Sequence, residues 1–388
     1  MSRKSTRRDF LGGRSAADAL VEIGRASSEA SRDASDGGPW GEGYTVRVGR
    51  RAMACQFEVC LNAGQYEHAT EVALRALEQV ATLEEQLSFF RPESELSRLN
   101  RTAADEAVEL SSELFELIEL GLAIHEQTGG AFDLTATPLW ETWGFAARSG
   151  RVPSESELAE ALDRVGSRWI ELDPRRRSVR FLKRGVRLNL GSIGKGYAVD
   201  RCAAMLLEAG IEDFLIHGGY SSVLARGSQA NCPAPTTPSP TNPRAEPTTS
   251  ASRPVTGGWL VGVRHPVRND RRVGQVRLVD RAMGTSGSWF QSFRHDGKRL
   301  GHVIDPRTGR PAEGVISVTV LAPSAALADA LATAFYVMGP EAAAELAAQR
   351  ADLGVVVARP SRRGGGLELK LVGLPDGTWI APDGSGVA

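Results

Sequence analysis

The sequence predicts a mixed fold in which short strands, several paired as hairpins, pack with amphipathic helices in one large domain or two intimately joined ones. Three observations carry this. Tyr44–Val48 and Ala54–Leu61 read as two strands across a short turn, so a hairpin opens the fold. From about Tyr66 to Leu87, Ala69, Ala73, Ala76, Val80, Leu83 and Leu87 recur at intervals of four and three, the apolar stripe of a core helix. The 388 residues are 41% apolar and 24% charged, enough to bury a sizeable core.

Charge and cysteine content exclude several classes of function. Lys and Arg total 46 against 47 Asp and Glu, so no global field favours a nucleic acid or an anionic membrane surface. Cys55, Cys60, Cys202 and Cys232 have neither C-x-x-C spacing nor the density of a disulfide framework, which argues against zinc and against a stapled scaffold. No apolar run reaches the ~18 residues of a spanning helix, so a soluble chain without a transmembrane segment is expected. Residues 1–43 are polar and Ser/Gly-rich and read as a disordered tail. Within it Ser5-Thr6-Arg7-Arg8-Asp9-Phe10-Leu11 resembles a twin-arginine export start. Arg14, Asp18, Glu22 and Arg25 interrupt every apolar segment behind it, which favours a cytoplasmic protein over one exported to the periplasm. No lipobox-like Cys suggests a lipid anchor.

In chain order, the polar stretch Ser88–Asn100, with Phe89 and Phe90, reads as a loop and a short helical turn. A helix follows from about Ser112 to Thr128, ended by Gly129-Gly130. The run Ala131-Phe132-Asp133-Leu134-Thr135-Ala136-Thr137-Pro138-Leu139-Trp140 continues to Trp143-Gly144-Phe145. An Asp and two Thr in a Gly- and Pro-bounded loop before aromatics suit either a site for a flat polar ring or a Trp-anchored connection. Arg168–Asp173, Ser178–Leu182 and Val186–Leu190 read as strands, the last running into Gly191-Ser192-Ile193-Gly194-Lys195-Gly196. Glycines between a strand and a helix let backbone approach a phosphate, and Lys195 adds a point charge. The spacing is neither Walker A nor the Rossmann fingerprint. Phe214–Gly227 is a strand, a Gly218-Gly219 turn and a second strand. Residues 228–256 are Pro-, Thr-, Ser- and Ala-rich, a low-complexity insertion. Trp259–Val263 and Gly274–Val279 resume the pairing, Gly284-Thr285-Ser286-Gly287-Ser288 reads as a tight hydroxyl-rich loop, and Leu353–Ala358 and Leu367–Val372 close the chain as strands.

The densest chemistry lies in Leu300-Gly301-His302-Val303-Ile304-Asp305-Pro306-Arg307-Thr308-Gly309 and the helix beyond it. Asp305-Pro306 and Thr308-Gly309 are turn dipeptides, so His302 and Asp305 are expected at the mouth of a strand. Val315–Leu321 reads as a buried strand. Ser324 then caps a helix from about Ala325 to Met338, closed by Gly339, with Pro340 starting another. Asp329 and Thr333 stand four apart on that helix, so both oxygens project from one face, hard ligands suited to Mg²⁺.

Together these blocks resemble the ApbE family, the FAD:protein FMN transferases. The match runs in order through Gly130–Asp133 with Pro138-Leu139 and Trp143-Gly144-Phe145, Gly191–Ala198 with Asp200, Gly218-Gly219, Thr285-Ser286-Gly287, His302–Gly309 and Ala328–Thr333. It spans roughly Met53 to Gly339. The resemblance implies an α+β fold related to the T-fold, with antiparallel sheets packed against helices and a flavin site between two subdomains. It implies that FAD and Mg²⁺ bind, and that the FMN half of FAD moves to a Thr or Ser hydroxyl of a target flavoprotein with release of AMP. It assigns the metal to Asp329, Thr333 and the loop carbonyl at Ser192. Met53, Phe90 and the backbone of Ala131, Phe132 and Asp133 are assigned to the isoalloxazine, and Lys195, Gly218, Gly219, Thr285 and Ser286 to the rest of the cofactor. His302 is the candidate base or orienter; Asp305 either holds it in one tautomer or braces the turn.

The chain departs from the family pattern at four places. Tyr220 stands where Asp or Asn is usual, Ser192 where a second Gly or Ala is common, Ser288-Trp289-Phe290 where a Tyr-containing run follows, and Met53-Ala54-Cys55 in place of Met-Gly-Thr. An FAD-storage protein and a metal-dependent FAD pyrophosphatase giving FMN and AMP remain as alternative readings.

Overall fold

The alternation of apolar residues along the strands is satisfied by an antiparallel sheet buried on both faces. The computed structural model describes residues 45–230, 257–268, 270–288, 291–361 and 366–382. The tail expected at residues 1–43, nearly all of the insertion expected at 228–256, Cys232 and Trp289-Phe290 lie outside the described residues.

In order, β1 (Thr45–Ala52) and β2 (Cys55–Asn62) precede α1 (Ala69–Leu87), α2 (Glu95–Thr102), β3 (Val108–Glu109) and α3 (Ser112–Gln127). Next come α4 (Thr137–Thr142), α5 (Glu155–Asp163), β4 (Ile170–Asp173), β5 (Ser178–Phe181), α6 (Gly194–Glu208), β6 (Phe214–Gly218) and β7 (Ser222–Arg226). The chain closes with β8 (Trp259–Arg264), β9 (Arg272–Leu278), β10 (Arg281–Gly287), β11 (Ser292–His295), β12 (Lys298–Gly301), β13 (Ser317–Ala322), α7 (Ala325–Ala348), β14 (Gly354–Pro360), β15 (Leu367–Val372) and β16 (Trp379–Ile380).

The main sheet has the order β1-β2-β6-β7-β10-β13-β14-β15. Phe57, Val59, Ile216, Leu224 and Val320 point from it into a core shared with α1, α6 and α7. Alternate residues, among them Val223, Ala225, Met283 and Leu321, face the other way and are covered by Trp259, Val276, Leu278 and Trp379 of the small β16-β9-β8 sheet. A third, smaller core joins Leu139, Trp143, Leu158 and Ala161 to Ile304. There the Trp143 indole N–H donates to Gly309 O at 2.7 Å, which ties the Trp143-Gly144-Phe145 stretch to the His302 loop. The Trp-anchored connection is therefore real.

Two expectations are corrected. Val186–Leu190 is not a strand, although Val186, Leu188 and Leu190 alternate inward. The Asn100 amide occupies the backbone of Leu188 instead, accepting from its N–H (2.8 Å) and donating to its carbonyl (2.9 Å), so no partner strand is needed. Gly284–Gly287 is not a loop but the end of β10, registered residue for residue against Ser317–Val320 of β13. Small residues there mimic a turn in sequence because a helix lies directly over the strand. A Cβ on Gly284 would fall 2.4 Å from the carbonyl carbon of Ala328. The expected break after Met338 appears as Gly339 (φ 82°) inside α7.

Candidate functional site

The starts of α6 and α7 pack against one another, and Asp329, Thr333, Lys195 and Ser192 lie on these two helices and the turn that feeds α6. Asp329 lies in the second turn of α7, only 6% exposed. Its Oδ2 accepts from the Gly196 N–H (2.9 Å) and from the Ser222 hydroxyl (2.6 Å), while no described residue donates to Oδ1. Burial pushes this carboxyl up to about 6, with Lys195 pulling the other way. Thr333, one turn on, donates to Asp329 O at 3.3 Å and pairs with the Ser286 hydroxyl at 3.0 Å. Ser192 sits in the turn feeding α6, and the Lys195 ammonium bonds Gly191 O at 3.4 Å.

A buried carboxylate with one free oxygen beside two hydroxyls is a hard-oxygen donor set. Among the described residues no group of three or more His, Cys, Asp or Glu could hold a metal ion. That leaves a site of one carboxylate with neutral oxygens, which fits Mg²⁺ shared with substrate phosphates and does not fit zinc.

His302 lies within electrostatic reach of Lys195. Its Nδ1 faces Gln291 O at 3.2 Å, and since a carbonyl only accepts, Nδ1 carries the hydrogen and Nε2 is the basic nitrogen. Phe145 stands edge-on to the ring at 6.4 Å and packs against Phe293. Burial, assisted by the Lys195 charge and opposed by the Gln291 bond, holds this imidazole below its ordinary value. Lys195 thus acts electrostatically on both Asp329 and His302.

Phe90 is 71% exposed, with Phe89 (5.4 Å) and Trp140 (6.4 Å) edge-on to it, so these neighbours leave most of its ring to solvent. Met53 caps the β1–β2 turn, and its N–H donates to the Glu84 carboxylate at 2.8 Å. Both turn residues, Met53 and Ala54, have left-handed backbones. Cys55 follows, its Sγ 3.1 Å from where a Cβ on Gly219 would be. Gly218 is needed because a Cβ there would meet the Phe57 ring at 2.7 Å. Tyr220 turns away and stacks on His217 at 4.4 Å, which in turn pairs with Glu58 at 3.1 Å.

Several of the residues named from the resemblance carry internal contacts. The Asp133 carboxylate is wholly engaged inside the protein, accepting from Thr135 N–H (2.8 Å) and hydroxyl (2.6 Å), from Ser167 and from His125 (3.1 Å). The side chains of Ala131 and Phe132 are buried, at 1% and 2% exposure, so only their backbone is left for the contact expected of them. Thr285 faces the sheet's other side, where its hydroxyl pairs with Thr319 at 3.0 Å; only Ser286, one pleat on, faces α7. Asp305 does not hold His302. It accepts from the Arg307 backbone N–H (2.9 Å), Nε (2.8 Å) and Nη2 (2.8 Å) and braces the turn. Ser222 and Gln291 were missed as partners of Asp329 and His302. Nothing in local sequence marks them, because both bonds are long-range.

Geometry and topology define an α+β protein whose helix–helix junction gathers one buried carboxylate, hydroxyls and a lysine at the start of a helix. The chain belongs to the ApbE family, whose model matches residues 52–357. It is 32% identical over 273 residues to the FAD:protein FMN transferase of Vibrio cholerae, covering 69% of this chain and 72% of that one. The Salmonella typhimurium FAD:protein FMN transferase is 27% identical over 339 residues, 86% of each chain. Among solved structures, the ApbE protein of Thermotoga maritima superposes with a TM-score of 0.69 at 29% identity, covering 84% of this chain and 96% of its own. The flavin transferase ApbE of Vibrio cholerae gives 0.68 at 26%, covering 85% and 97%.

Proposed function

We propose that this chain is a Mg²⁺-dependent FAD:protein FMN transferase that moves FMN from FAD to a Thr or Ser hydroxyl of a target flavoprotein and releases AMP. The observation that carries the reading is Asp329, a buried carboxylate with one oxygen free, set beside Thr333 and Lys195. Asp329, Thr333 and the Ser192 carbonyl would hold the metal. When bound, Mg²⁺ would neutralise charge on the FAD pyrophosphate and on the departing AMP.

The chain's own residues do the rest. Lys195 and the start of α6 face the phosphates with positive potential. Phe90 offers a face to the isoalloxazine. His302 Nε2 takes the proton of the acceptor hydroxyl as its oxygen bonds the FMN phosphorus and the bond from that phosphorus to AMP breaks. An imidazole kept neutral by burial is in the right form for this at pH 7.

The test incubates the protein with FAD, Mg²⁺ or EDTA, and a flavoprotein subunit carrying an acceptor Thr, reading AMP and the subunit's intact mass together. AMP with a covalent FMN adduct, both lost in EDTA, is the expected result. AMP with free FMN and no adduct would make the protein a pyrophosphatase on that subunit, and bound FAD without AMP a storage protein.

A further inference from the structure

The α6–α7 junction is closed by two carboxylates acting in opposite directions. Asp329 of α7 accepts the Gly196 N–H at the start of α6. Asp200, one turn beyond Gly196 on α6, accepts the first two N–H groups of α7: Ala325 to Oδ1 at 2.7 Å and Ala326 to Oδ2 at 2.9 Å. The helices are in van der Waals contact at this point, since a Cβ on Gly196 would lie 2.1 Å from Ala325 O. Ser324 separately caps α7 in the usual way, accepting from Leu327 N–H at 3.3 Å. Ser324 serves only the Leu327 N–H, and Asp200 takes the two N–H groups at the very start of α7, so it completes the cap from a neighbouring helix and fixes the start of α7 to α6, one turn before Asp329.

We propose that Asp200 is a positioning residue for the metal site. It touches neither metal nor substrate. It sets the height of α7 against α6, so that Asp329 reaches Gly196 and Ser222 through Oδ2 and leaves Oδ1 free. The inference rests on Asp329 being a metal ligand. Residues that orient a ligand in this indirect way alter metal affinity by about 10–100-fold when removed.

The test measures the Mg²⁺ midpoint for FAD binding, read by flavin fluorescence, and Mn²⁺ binding by electron paramagnetic resonance, beside the melting temperature. Asp200→Asn can accept only one of the two N–H groups, and its midpoints are expected to rise about 10–100-fold. Ser324→Ala removes the other cap on the same helix. It is expected to lower the melting temperature while leaving both metal midpoints within about threefold of wild type. Ala325→Pro deletes the Oδ1 donor without touching Asp200. Proline is accepted at the first helical position, and Ser324 already has the extended backbone (φ −131°, ψ 155°) required before it. It should shift the midpoints as Asp200→Asn does, and it decides the matter if that variant fails to fold. Unchanged midpoints in a folded Asp200→Asn or Ala325→Pro protein would overturn the proposal, as would an equal shift in Ser324→Ala. A wild-type protein that bound FAD without any metal dependence would overturn the metal reading itself, a separate outcome.

Discussion

Ser222 donates its hydroxyl to Asp329 across 2.6 Å, from the first residue of β7 to the second turn of α7. The bond fixes which carboxylate oxygen is engaged. Asp329→Ala removes the only carboxylate of the donor set, and AMP formation from FAD should fall at least about 100-fold. Ser222→Ala keeps the carboxylate but frees its orientation, so a loss of about 10-fold is expected, partly recovered at high Mg²⁺. Steady-state AMP release across a Mg²⁺ titration checks both. Full activity in Asp329→Ala would remove the metal assignment.

Gly284 makes the second prediction. β10 and α7 approach so closely that a Cβ at this position would sit 2.4 Å from the Ala328 carbonyl carbon and 2.5 Å from Asp329 N. Both are backbone atoms, so relief requires α7 to move. Gly284→Ala should therefore cost about 1–3 kcal/mol of stability in urea unfolding and weaken FAD binding out of proportion to that loss. A variant as stable as wild type, with unaltered FAD affinity, would mean that the helix is not held where it stands.

The contrast between Asp329 and Asp133 shows what was legible in the sequence. The i, i+4 pair Asp329 and Thr333 was readable because helical periodicity alone puts both on one face. Asp133 stands in an equally suggestive loop, yet the carboxylate turns inward to His125, Thr135 and Ser167, and only the fold brings Ser167 there. All six residues of the expected α1 stripe are buried, joined there by Val72 and Leu77, because burial along a helix follows from local spacing. β10 was misread for the converse reason: its small residues answer a helix more than 40 positions away in the chain. The capping box that starts α5, Ser154 with Glu157, was visible in the sequence and was passed over.

His302 supplies the third prediction. Burial and Lys195 disfavour its cation, so its folded-state pKa lies below the ordinary 6.5. It should be neutral at pH 7 and remain so somewhat below pH 6.5. The charged group acting on it is Lys195, and Gln291 O bonds its Nδ1. A nuclear magnetic resonance titration of the six histidines, with His302 assigned from a His302→Gln variant, reads this directly. A midpoint above 6.5 would contradict the burial argument. The same variant should lose about 10²–10⁴-fold in FMN transfer, the range of a general base.

The fourth prediction concerns stability and pH through His125 and Asp133. The hydrogen bond and charge of Asp133 raise the His125 pKa. Burial alone would raise Asp133, but bonds from His125 and Thr135 outweigh it and hold the carboxyl below its usual range. The His125 contribution is fully present below the unfolded value of about 6.5 and is lost as pH rises through the higher folded value. The Asp133 contribution is present above the unfolded value of about 3.9 and is lost as pH falls through the lower folded one. The pair therefore adds most between about pH 4 and 6.5, and its share should decline on moving to pH 8. Asp133→Ala removes the carboxylate that accepts from His125, Thr135 and Ser167, leaving His125 only its Phe132 O bond, and a cost of about 3–5 kcal/mol is expected. Urea unfolding of wild type and His125→Gln at pH 6 and pH 8 isolates the histidine's part: the gap between the two proteins should be larger at pH 6. A gap that widened at pH 8 would mean that His125 is not protonated in the folded protein.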